Sequence, residues 1–111
     1  MPRYIVKLRD RYMEWSTVVD APTTYGMTLE EFRAHYEHEY GVAAVHGGHN
    51  MPPLRERMLR VAQQGTSANF PLTVEQLIAG NRAGPDEATL SEDELYRAYC
   101  LRENIREGWT P

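Results

Sequence analysis

All four histidines of the chain lie in the run "HYEHEYGVAAVHGGH", with Glu31, Glu37 and Glu39 close by. Imidazole nitrogens and carboxylates are zinc ligands, and side chains three or four apart share a helix face. On a helical wheel Glu31, His35 and His38 cluster on the side opposite a Leu29–Tyr40 apolar stripe, so they face solvent. His46 and His49 fall in a glycine-containing loop able to fold back toward them. The spacing is not His-Glu-x-x-His, and no cysteine joins it. His35, His38, His46 and His49 are therefore weak metal candidates, and the expectation is that no metal or other cofactor is bound.

The segment "DAPTTYG" is the second candidate. It leaves a strand and meets a helix N-terminus, where free N–H groups and the helix dipole favour anions. Asp20, Thr23, Thr24 and Tyr25 are the residues that would present polar groups to a ligand there. A competing reading is a turn: an Asx-type bend at Asp20, Pro22 fixing the chain, and Gly26 supplying a positive φ. Glu30 and Glu31 already bring negative charge to that helix start, and a single glycine is few for an anion cradle.

The other reactive side chains carry less. Ser16 matches no nucleophile motif. Cys100 is the only cysteine, adjoins Tyr99 inside a helical stretch, and has no cation placed to activate it, so it reads as structural. Arg55, Arg57 and Arg60 in "RERMLR" read as a solvated helix face. No catalytic residue is assigned, and an enzymatic role is not expected.

These groups need elements to hold them. In the first fifteen residues apolar side chains alternate with polar ones, the period of a strand. With Asp10–Arg11 as the turn, Leu8 pairs with Met13, Val6 with Trp15 and Lys7 with Glu14. Tyr4, Val6, Leu8, Met13, Trp15 and Val19 then share a buried face, and Lys7 and Glu14 point outward. Thr28 and Glu31 form a capping box that opens a helix carrying Leu29, Phe32, Tyr36 and Tyr40, closed by Gly41. The stretch from Gly41 to Pro53 reads as a loop. Helices follow from Pro53, from Thr73, and from a second capping box at Ser91 and Glu94. The expected fold is a single α+β domain over residues 1–111: an antiparallel hairpin followed by about four short helices packed on one face.

A net charge of −4 argues against a nucleic-acid binder, which needs clustered Lys and Arg. No apolar run reaches membrane-spanning length, and the lone cysteine suits a reducing, cytoplasmic setting. Seven tyrosines, two tryptophans and two phenylalanines are many for a core this small, and aromatics anchor protein interfaces. The second strand, with β-branched residues and only Glu14 as a guard, is the edge expected to pair with a second copy or a partner strand. Trp15, Ser16, Thr17, Val18 and Trp109 are the expected interface.

The run "EWSTVVDAPTTYGMTLEEFRAHYEHEYG" resembles small uncharacterised proteins of actinobacterial phages and prophages. They open with a short hairpin and continue through a similar Val-Asp-Ala-Pro segment into an acidic-start helix. The resemblance implies a phage-type accessory protein and carries no catalytic residue over. The expected function is therefore protein–protein binding, as a homo-oligomer or with another protein. The alternatives are a small-molecule or metal-dependent activity where residues 20–28 meet the histidines, and a component of phage assembly.

Overall fold

The structure is a computed structural model that describes residues 3–48 and 53–105. Strands β1 (Arg3–Leu8) and β2 (Arg11–Ser16) pair antiparallel with Val6 opposite Met13 and Tyr4 opposite Trp15. The turn is Arg9–Asp10, so the register lies two residues from the expected one. A shift of two preserves parity, and the side chains keep their faces. The turn is held from outside: the Asp10 carboxylate accepts the Tyr96 hydroxyl at 2.6 Å, and Arg9 Nε donates to Glu92 at 3.1 Å. Those contacts stabilise a left-handed Arg9 (φ 56°) that its own residue type disfavours.

Two expectations fail at this sheet. Glu14 lies opposite Ile5 rather than Lys7 and is buried, with 3 % of its surface exposed. Lys7 instead pairs with Tyr12, its ammonium 5.7 Å from the ring centre. The reason is that helices cover both faces of the sheet, not one. Val6, Leu8, Met13 and Trp15 pack with Leu90, Leu95, Ala98 and Tyr99 on one side. Ile5 packs with Phe32, Tyr36, Val45, Leu54 and Val61 on the other. Val19 falls beyond the strand and is exposed.

A third strand, β3 (Ala21–Pro22), pairs antiparallel with β2, Ala21 opposite Ser16 and Pro22 opposite Trp15. The pairing continues as Thr23 N–H donates to the Glu14 carbonyl at 2.8 Å and Tyr12 and Met27 exchange both backbone bonds at 2.8 Å. Pro22 is tolerated because an edge strand needs no outward N–H. The free edge of β1 is taken as well: Lys7 N–H donates to Gly65 O, and Ser67 N–H to Ile5 O, each at 2.9 Å. Strand addition along Arg11–Ser16 is thereby closed to a second copy, because the chain's own segment lies there.

Five short helices follow: α1 (Leu29–Tyr40), α2 (Val42–His46), α3 (Leu54–Gln64), α4 (Val74–Ala79) and α5 (Glu92–Leu95). Capping boxes open α1 (Thr28 with Glu31), α4 (Thr73 with Gln76) and α5 (Ser91 with Glu94). Helix α2 stands where a loop was expected, and buries Ala44 and Val45. Helix α5 runs on into a widened π-type turn, Tyr96–Cys100, that buries Ala98 and Tyr99. The chain is thus α+β, a three-stranded antiparallel sheet enclosed by helices. Among the described residues no helix is long and apolar enough to cross a membrane.

Candidate functional site: a cleft lined by arginines

Residue Glu14 lies in a wide polar concavity of the described residues. Phe32 and Tyr36 seat α1 against the sheet, and that seating carries two of its neighbours over Glu14. Glu14 Oε2 lies 2.9 Å from His35 Nε2, and Oε1 accepts the Tyr40 hydroxyl at 2.5 Å. Withdrawal from water, then the bond and charge of Glu14, push the Tyr40 phenol up to about 12. The Tyr40 ring is partly exposed, while its hydroxyl end turns inward against Tyr36, ring centres 4.7 Å apart.

Opposite Glu14, the cleft is walled by cations. Arg57 of α3 donates from Nη1 to the Tyr36 hydroxyl (2.5 Å) and from Nη2 to the Arg3 carbonyl (2.8 Å) and Ser67 Oγ (3.2 Å). Arg60 Nε donates to the Ser67 carbonyl at 2.9 Å. These bonds fix where both guanidiniums point. Arg3, Tyr4, Glu14, Tyr36, Tyr40, Arg57, Arg60, Ser67 and Asn69 together enclose about 710 Å³. Glu14 is the one acid in that lining, and among the described residues no carboxylate pairs with Arg3, Arg57 or Arg60.

The segment 20–25 packs beside the sheet, and Pro22, Thr23, Thr24 and Tyr25 line a small concavity of about 240 Å³ with Tyr99. Thr24 Oγ1 accepts the Glu14 N–H at 3.1 Å, and the Thr23 hydroxyl donates to the Glu14 carbonyl at 3.4 Å. Asp20, left-handed at φ 55°, places its carboxylate 3.2 Å from Arg82 Nη2. Tyr25 lies under the Arg102 guanidinium, 4.2 Å from it, and beside Tyr99. The segment is a strap whose two threonines hold the Glu14 backbone. The expected reason for Gly26 is corrected: it has no positive φ. A Cβ there would meet Cys100 Sγ at 2.5 Å and Arg11 Cβ at 3.0 Å, so close approach requires the glycine.

The histidines separate. His35 joins Glu14, whereas His38 is exposed in a shallow groove with Glu30, Arg33 and Glu37, and His46 is exposed on α2. His49 lies outside the described residues. Among the described residues no three His, Cys, Asp or Glu side chains converge where a metal would sit. Of the expected interface, Trp15 and Ser16 are buried (1 % and 5 % exposed), so neither offers a contact surface. Thr17 is half-buried, Val18 is exposed, and Trp109 lies outside the described residues. Burial pushes the Cys100 thiol up to about 11, which leaves it unreactive.

Sequence reasoning missed Arg3, Glu14, Tyr36, Tyr40, Arg57 and Arg60 as a group. One signal was available. Ile5 and Tyr12 are apolar residues on the face assigned to solvent, and a second covered face would have enclosed Glu14 between them.

No protein-family model, curated protein or solved structure matches this chain. The fold and cleft define a small α+β protein with one concave, cation-walled polar surface.

Proposed function

We propose that this is a non-enzymatic, cytosolic binding protein whose cleft grips an anionic group carried by a partner protein. The observation that carries the reading is the set Arg3, Arg57 and Arg60, turned toward one cavity with no carboxylate partner among the described residues. Clustered guanidiniums repel one another, and an incoming anion relieves that repulsion while accepting their forked N–H groups. Glu14 itself is taken up by the fold: it lies against His35 and accepts the Tyr40 hydroxyl. The cytosolic setting rests on Cys100, a free thiol in a chain without disulfides.

The test is an NMR titration with malonate, with sodium chloride at matched ionic strength as control. Saturable shifts at Arg3, Tyr36, Arg57 and Arg60, without shifts at Asp20–Tyr25, are expected. Uniform, non-saturating shifts that sodium chloride reproduces would end the reading.

A further inference from the structure

We propose that the group held in the cleft is a phosphoryl group, a phosphate monoester, rather than a carboxylate. This rests on the anion-binding reading above and sharpens it. Three guanidinium charges face one carboxylate in the lining, a surplus of two. A phosphate monoester carries about −1.5 to −2 at neutral pH on three acceptor oxygens around one centre, whereas a carboxylate carries one charge and two oxygens, and a dicarboxylate such as malonate reaches a similar charge only by spreading it over two separate groups.

The donors match the larger group. Among the described residues Arg60 is bonded through Nε alone, to the Ser67 carbonyl, and it lines the cleft with both Nη groups still able to donate. Arg57 is held through Nη1 and Nη2 and keeps its position when a ligand arrives. The Tyr36 hydroxyl accepts from Arg57, and among the described residues its own proton has no acceptor. It is only 7 % exposed yet lines the cleft, so its proton can be offered to an oxygen of the bound group. Glu14 does not oppose the ligand directly. Its oxygens are turned to Tyr40 and His35, and Arg3 stands beside the Tyr40 hydroxyl at the rim.

The deciding experiment compares four probes on the full chain by calorimetry and by side-chain NMR of the arginine Nε–H groups. They are inorganic phosphate, malonate, a short alanine-flanked phosphoserine peptide with its unphosphorylated control, and adenosine monophosphate. Phosphate is expected to bind about tenfold tighter than malonate, and the phosphoserine peptide at least as tightly as phosphate, with no binding of the control. Arg60→Gln should weaken phosphate binding about tenfold. Because Arg60 also braces Ser67, Arg3→Gln, a change at the rim, is the second variant and should weaken it in the same direction.

Equal affinity for malonate and phosphate overturns the phosphoryl assignment and leaves the anion reading standing. No binding of either overturns both. Binding of phosphate and adenosine monophosphate but not of the peptide supports the phosphoryl assignment and makes the source a small molecule. Unchanged phosphate affinity in a folded Arg3→Gln, Arg60→Gln double variant removes the proposed site.

Discussion

The Tyr40 hydroxyl donates to Glu14 Oε1 at 2.5 Å, joining the C-terminal turn of α1 to the middle strand of the sheet. His35 reaches the other oxygen from one turn earlier. Removing the carboxylate leaves both donors facing a buried void. Glu14→Ala should destabilise the fold by about 1–3 kcal/mol, and Glu14→Gln by less, because the amide oxygen still accepts from Tyr40. Denaturant unfolding of the two variants checks the order.

The same bond sets an alkaline limit. The folded Tyr40 value of about 12 lies above the ordinary 10.0, so the neutral phenol is favoured in the native state. Its contribution is fully present below pH 10 and is lost as pH rises through 12. Tyr96, bonded to Asp10, and the buried Tyr99 are pushed up as well, so absorbance titration should show several late-ionising tyrosines, one of which Tyr40→Phe removes. The variant's stability should then fall less steeply across that window.

Trp15 fills the first core with 1 % of its surface exposed. Trp15→Ala should cost about 3–5 kcal/mol, a large part of the stability of a domain this size. Loss of the cooperative thermal transition at a much lower temperature is the expected readout.

At the start of α1, Thr28 Oγ1 accepts from Glu31 N–H at 3.2 Å, and the Glu31 carboxylate accepts the Thr28 N–H at 2.8 Å. Thr28→Ala should cost about 0.5–2 kcal/mol and leave anion binding at the cleft unchanged. A loss of anion binding in a folded Thr28→Ala protein would contradict the assignment of that helix start as purely structural.

Gly26→Ala should destabilise the fold by about 1–3 kcal/mol, since the new methyl must displace Cys100 and Arg11. Cys100 should also become more accessible to thiol reagents in this variant, which a timed labelling assay reads directly.

What the sequence makes legible is what neighbouring residues decide among themselves. The capping pairs Thr28–Glu31 and Ser91–Glu94 lie three residues apart, and alternation from Tyr4 to Trp15 sorts the side chains into the right two faces even under a shifted register, though not which face is covered. What it hides depends on distant partners. The Arg9–Asp10 turn is chosen by Tyr96 and Glu92, far along the chain. Strand β3 has two residues, one of them a proline, too little pattern to register as a strand. Arg57 and Arg60 sit beside Glu56 on a charged helix, and only the packing of α3 against β1 turns them inward. Glu14 reads as a surface charge until α1 is laid over it.

The strands gain their neighbours at different times. Segment 21–27 follows β2 almost at once, whereas residues 65–67 reach β1 only after α1, α2 and the α3 region have been made. During synthesis the β1 edge therefore stays open until roughly the first two thirds of the chain has emerged, at about 5–20 residues per second. Fragments that end before Gly65 keep that open edge permanently, and intermolecular strand pairing through β1 is their route to aggregation.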